Sequence, residues 1–130
     1  MRNRIILIAF MFCAQCFIAF GQTDILTEIS QGIKEANADK ISRFFNANID
    51  LTTDNGEEMY SKVQATSVLR DFFVRYPVRS YTTLHKGQKE GAEYVVGTYI
   101  STRNTSFRVY YFIKQNGETK VINDLRFEKE

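Results

Sequence analysis

The residues that could do chemistry are few and scattered. His85 is the single histidine of the chain. A metal centre needs several ligands at suitable spacing, and none cluster around it. There is no nucleophile motif, phosphate loop or dinucleotide fingerprint. Cys13 and Cys16 both lie in an apolar N-terminal stretch, so the rest of the chain has neither a disulfide nor thiol chemistry. The more informative residues are aromatic. Tyr81, Tyr99, Arg108 and Asp124 fall at corresponding positions in four successive strand-like runs, with Tyr110 and Phe112 in the same set. Arg108 opposite Asp124 suits a cross-strand ion pair, with the Tyr99 ring along the guanidinium. Aromatics with an arginine on a flat sheet face have the composition of a protein interface. Large exposed apolar patches are uncommon on monomers. The same residues also fit the ordinary solvated face of a half-buried antiparallel sheet.

The chain opens with a targeting pattern. Arg2 and Arg4 precede a run from Ile5 to Phe20 that is apolar except for Gln15 and ends at Ala19-Phe20-Gly21. A basic start, an apolar stretch and small residues at −3 and −1 predict a cleavable signal peptide over residues 1–21. Residues 22–130 then form a single domain beginning at Gln22, and its expected location is periplasmic or extracellular. About 16 apolar residues fall short of the roughly 20 that span a bilayer, so no membrane span is expected after cleavage. The apolar run continues past Cys16, which argues against lipidation. Of 130 residues, 17 are Lys or Arg and 15 are Asp or Glu. Loss of Arg2 and Arg4 balances the charges, which argues against nucleic acid, whose binding needs a basic footprint, and against anionic membrane surfaces.

Asp24 can cap a helix carrying Ile25, Ile29, Ile33 and Ala36. Asp39 is expected to cap a short second helix with Ile41, Phe44 and Phe45 on one face. Ile49 to Asp54 reads as a strand, Asp54-Asn55-Gly56 as a turn, and Glu58 to Tyr60 as a short return strand. Ser61 to Gln64 is a capping box ahead of a helix with Ala65, Val68, Leu69, Phe72 and Phe73 at helical spacing, ended by Pro77. Four strands follow, Arg79–Lys86, Ala92–Thr102, Thr105–Lys114 and Glu118–Glu128, as an antiparallel meander.

Register follows from the pleat. Reading Gln115-Asn116-Gly117 as a bulged turn sets Tyr111 against Val121, Val109 against Asn123 and Phe107 against Leu125. The same treatment sets Tyr99 against Arg108, Tyr110 against Gly97, and Tyr81 against Tyr99. The helix-covered inner face then holds Leu84, Tyr94, Val96, Thr98, Ile100, Phe107, Val109, Tyr111, Ile113, Val121, Leu125 and Phe127. The outer face holds Tyr81, His85, Val95, Tyr99, Arg108, Tyr110, Phe112, Ile122, Asp124 and Arg126.

The order of elements, the run Ile33-Lys34-Glu35-Ala36-Asn37-Ala38-Asp39-Lys40-Ile41-Ser42-Arg43-Phe44-Phe45, with its break at Ala38-Asp39, and the terminal Val121-Ile122-Asn123-Asp124-Leu125-Arg126-Phe127 carry a resemblance. The chain is similar to the nuclear-transport-factor-2-like (cystatin-like) superfamily, over about residues 23 to 128. Within it, the chain is most similar to small exported bacterial proteins known only as a domain of unknown function. The resemblance implies an α+β fold, with a curved antiparallel sheet packed on three helices to make a cone. It further implies that the inner face lines a small apolar pocket. Thr82, Tyr94, Thr98, Tyr111 and Asn123 would be the polar anchors there for a small apolar ligand, or simply buried polar groups satisfied by backbone or water. Catalysis in this superfold typically joins a pocket carboxylate or histidine to a tyrosine, and Asp50 is the plausible carboxylate. No catalytic residue, metal ligand or cofactor is assigned. The leading expectation is a non-catalytic binding module, homodimeric through the outer sheet face. A small isomerase- or hydrolase-like enzyme using Asp50 with a pocket tyrosine is the alternative. An accessory subunit docking on an envelope complex through its sheet face is the third.

Overall fold

The computed structural model describes residues 24–130; the expected signal peptide lies outside the described residues. Helix α1 (Ile25–Lys34) starts at Asp24, whose side chain accepts from the Leu26 amide. Helix α2 (Ala38–Ser42) is capped by Asn37, which accepts from the Lys40 amide at 3.0 Å. The cap therefore lies two residues before the expected Asp39. Strand β1 (Phe45–Thr53) begins four residues earlier than the apolar pattern indicates, because Phe45 is already extended and buried. Strand β2 (Gly56–Ser61) returns beside it. Helix α3 (Lys62–Arg75) opens with the expected capping box between Ser61 and Gln64. The meander follows as β3 (Val78–Lys89), β4 (Ala92–Ser101), β5 (Ser106–Asn116) and β6 (Thr119–Lys129).

One curved six-stranded sheet results, in the order β2-β1-β6-β5-β4-β3. Neighbours are antiparallel except β1 and β6, which run parallel. The helices cover one face, and the core forms between. Phe72 of α3 sits at its centre, with ring centroids 4.6 Å from Phe127, 5.1 Å from Phe107 and 6.0 Å from Tyr99. Tilted and edge-on pairs like these each contribute roughly 0.5–1.5 kcal/mol beyond the area they bury. Ile29, Ile33, Ile41 and Leu69 close the helical side.

The faces of the meander differ from the pleat reading in three places. First, β4 is turned over. Tyr99 pairs with Phe107 rather than Arg108, and Gly97 with Val109 rather than Tyr110. Val95, Gly97 and Tyr99 thus face the helices, while Tyr94, Val96, Thr98 and Ile100 face outward. The cause is the β4–β5 loop. The buried Ser101 hydroxyl accepts from the amides of Arg103 and Thr105, both at 3.2 Å, and Asn104 takes a left-handed φ of 62°. That loop shifts the pairing by one residue, which exchanges the faces. Second, Tyr81 pairs with Tyr99 as expected, so β3 turns over with it. Tyr81 is buried, and Leu84 lies at a bulge, 55% exposed. Third, β5 and β6 join through a two-residue turn at Gly117 and Glu118, with Gly117 at φ 64°. Tyr111 therefore faces Leu125, and Val109 faces Phe127. A bulge at Asn123 then lets Ile122 and Leu125, three residues apart, both point inward. Val121, expected inside, pairs instead with the exposed Lys114.

Burial pushes the phenols of Tyr99 and Tyr111 well above the ordinary tyrosine value of about 10. An unfolded chain would give up these protons near pH 10 while the folded chain keeps them. Stability is therefore full below that pH and falls as pH rises beyond it, by about 1.4 kcal/mol per pH unit for each group. Urea unfolding midpoints should hold steady to about pH 9 and drop steeply above 10; a midpoint unchanged to pH 11.5 would contradict this burial.

Candidate functional site

The interior of the sheet is occupied by its own side chains. Where a ligand pocket was expected, Tyr99, Phe107, Phe127 and Tyr111 pack under α1 and α3. Its polar groups are used locally. The Tyr99 hydroxyl donates to the Tyr76 carbonyl at the end of α3, at 2.6 Å. The Tyr111 hydroxyl lies 3.4 Å from the Ser30 hydroxyl on α1, and the Tyr81 hydroxyl accepts from Thr83. Of the expected pocket anchors only Tyr111 is on this face. Tyr94 and Thr98 turn outward with β4, Thr82 is exposed, and Asn123 stands out at the β6 bulge. The structure does not bring these five together.

Asp50 departs from its expected place as well. Ile49 and Leu51 are buried, so Asp50 between them points to the outer face. It cannot meet Tyr111 there. Tyr94 shares its face but lies three strands away across β6 and β5, roughly 14 Å at ordinary strand spacing. Its Cα neighbour on β6 is Asp124.

The outer face assembles a different group. Tyr94, Tyr110 and Phe112 form an aromatic cluster, with Tyr110 and Phe112 edge-on at 4.8 Å and Tyr94 and Tyr110 stacked at 6.4 Å. Arg126 lies 5.6 Å from the Tyr110 centroid and donates to both carboxylate oxygens of Asp124, from Nε at 3.1 Å and Nη2 at 2.8 Å. Its charged form is favoured further by that carboxylate. A planar guanidinium held this way stays available to a ring face. Of the expected interface residues, Tyr110, Phe112 and Asp124 are here. Tyr81 and Tyr99 are in the core. Arg108 is outward but pairs with Glu130 at 3.2 Å, not with Asp124. The arginine of the cluster is Arg126, which the pleat places on the same face as Asp124 because the two are separated by one residue. His85, outward as expected, lies with Nε2 3.3 Å from the Tyr94 hydroxyl.

Beside the cluster is an open cleft of about 590 Å³. Asn46, Asn48 and Asp50 of β1 and Met59 of β2 form one wall. Asn123 and Asp124 of β6 and Phe112 and Lys114 of β5 form the floor, and Lys89, Glu90 and Ala92 at the β3–β4 turn form the far wall. Sequence reading missed Asn46 and Asn48 because it took the start of β1 for the end of the second helix. Two asparagines alternating with Asp50 ahead of a strand were the available signal. Among the described residues no group of three His, Cys, Asp or Glu side chains is placed to hold a metal ion, and no helix is long and apolar enough to cross a membrane.

The fold has relatives among solved structures. A DUF4783 family protein from Bacteroides uniformis superposes with a TM-score of 0.77 at 23% identity, covering 82% of this chain and 98% of that one. A DUF4783 family protein from Bacteroides ovatus gives 0.74 at 22%, covering 79% and 93%. An NTF2-like protein of unknown function from Shewanella baltica gives 0.58 at 12%, covering 81% and 87%. These likenesses establish the nuclear-transport-factor-2-like fold and leave activity open. No curated protein matches the sequence. The family model described as Domain of unknown function (DUF4783) matches residues 26–128.

Proposed function

Since the chain belongs to the DUF4783 family, whose description assigns no activity, we propose from its geometry that it is an exported, non-catalytic binding module whose binding surface is the outer face of the sheet. The observation that carries this reading is the aromatic cluster of Tyr94, Tyr110 and Phe112, with Arg126 locked beside it and a cleft at its edge. Rings and an arginine on rigid strands bury large area with little loss of rotamer freedom, which makes a surface of this type a binding hot spot. The filled interior supports the same choice, since the outer cleft offers a concavity that joins polar and apolar groups. Asp50 and Tyr111 on opposite faces weigh against the isomerase- or hydrolase-like alternative, because acid–base work needs both groups within reach of one substrate. Export rests on the basic, apolar and small-residue pattern of residues 1–21.

Native mass spectrometry of the protein purified from its host, as wild type and as Tyr110→Asp, tests both parts. The expected wild type starts at Gln22 and carries additional bound mass. Tyr110→Asp should stay folded, because this ring lies outside the helix-covered core, and should lose most of that mass, since an unpaired charge at a buried contact costs several kcal/mol, on the order of 3–5. A chain still bearing Met1 would refute export. Equal bound mass on both proteins would refute the outer face. A bound mass equal to a second chain would identify the partner as another copy.

A further inference from the structure

The charges of the outer cleft cancel, and its polar groups are mostly planar. Asp124 is matched by Arg126 at 2.8 Å. Asp50 and Glu90 are equalled in number by Lys89 and Lys114. A site without net charge has little with which to compensate the desolvation of an ionic ligand. It is also too polar to suit a hydrocarbon, because three asparagines line it. Asn46 donates to Asn123 Oδ1 at 2.9 Å and accepts from the Ala47 amide at 2.9 Å. Those bonds orient both amides and leave Asn123 Nδ2 to donate. Asn48 and Asp50, separated by one residue on β1, project to the same side. An amide offers donors and an acceptor in one plane, and a carboxylate offers acceptors only.

Phe112 supplies the apolar part. Its ring is steadied by Tyr110 at 4.8 Å and Tyr94 at 6.2 Å. The face of an aromatic ring is electronegative and attracts polarised C–H bonds. A fitting ligand would present a C–H face to Phe112 and a rim of hydroxyls, each both donor and acceptor, to the amides and the carboxylate. It would carry no net charge. A neutral pyranose ring meets all three conditions. The cleft volume of about 590 Å³ lies in the range of small-molecule sites, and its open side lets a chain of rings continue into solvent. We infer that this cleft binds a neutral saccharide, with Phe112 as platform and Asn48, Asp50 and Asn123 as hydroxyl partners. The inference rests on reading the outer face as the binding surface and names the ligand class for it.

The test is a titration of the exported protein by amide NMR with cellotriose, maltotriose, xylotriose, mannotriose and chitotriose, with spermidine, citrate and an uncharged tripeptide as comparison probes. At least one trisaccharide should shift the amides of Asn48, Asp50 and Phe112, and saturation transfer should be strongest at its ring C–H protons. Phe112→Ala should weaken binding about tenfold or more, as removal of an aromatic anchor does. Asn48→Ala, at an exposed strand position, should weaken it severalfold with the fold intact. Failure of all five trisaccharides, or shifts produced only by the ions or the peptide, overturns the assignment. If all five fail while the host-purified protein still carries a bound mass that Tyr110→Asp removes, the saccharide falls and the outer face stands. If that mass is absent too, both fall.

Discussion

Replacing Tyr99 by alanine should lower the unfolding free energy by about 3–5 kcal/mol, the usual cost of deleting a buried aromatic ring. Tyr99 is fully buried, 6.0 Å from both Phe72 and Phe73 and edge-on to Phe127 at 5.7 Å. Its hydroxyl donates to the Tyr76 carbonyl at the point where Pro77 stops α3. The alanine variant therefore opens a cavity beneath α3 and strips a partner from a helix-end carbonyl. Tyr99→Phe separates the two contributions. It keeps the ring and should cost only about 1–2 kcal/mol, the loss of one hydrogen bond with a partner left unpaired. Urea unfolding of the three proteins reads both numbers. A Tyr99→Ala loss below 1 kcal/mol would return this residue to the solvent face, where the alternation of β4 alone places it. Because small domains are stable by only about 5–15 kcal/mol, the alanine variant should also melt many degrees lower.

Gly97→Val should destabilise by about 3 kcal/mol, the upper part of the range for overpacked sites. Intrinsic preference argues the other way, since valine favours strands and glycine weakens them. Geometry decides the sign. A Cβ built on Gly97 would stand 2.6 Å from the Tyr81 ring and 2.8 Å from the Thr82 carbonyl oxygen. A ring can tilt, but that carbonyl belongs to the β3–β4 ladder and cannot retreat without breaking pairing. Gly97 thus lets Tyr81 lie flat on the strand beneath it, where the pleat reading set Tyr110 against Gly97. Comparison of wild type and variant by thermal and urea unfolding checks the expectation. An unchanged or raised stability would mean that Tyr81 does not cover Gly97.

β4 reads Tyr94, Val96, Thr98, Ile100 on one side and Val95, Gly97, Tyr99, Ser101 on the other. By composition the first set looks more apolar, yet the second is buried. Gly97 is inside because Tyr81 needs the space, and Ser101 is inside because its hydroxyl holds the following loop. Both are demands of neighbouring segments, invisible to a count of apolar residues along one strand. In β6 the bulge at Asn123 breaks the two-residue period, so Ile122 and Leu125 share a face that strict alternation denies them. Asn123, a pocket anchor by the resemblance, is instead the extra residue of the bulge, bonded to Asn46 at the cleft.

Much of the local chemistry was legible, although the cap of α2 and the β5–β6 turn were not. Asp24 caps α1, Ser61 and Gln64 form their reciprocal box, and Phe72 and Phe73 face the core at helical spacing. These follow from hydrogen bonds and periodicities written in the order of residues, and the α+β class and element order follow from them. The choice of sheet face, and with it the candidate site, was not so written. It turned on a one-residue slip set by the Ser101 bonds inside the β4–β5 loop, on the parallel pairing of β1 with β6, and on the Asn123 bulge, the last two involving partners distant along the chain. A pleat has period two, so one residue of register carries Tyr99 from surface to core and Tyr94 from core to surface, and only the packed tertiary structure settles that residue.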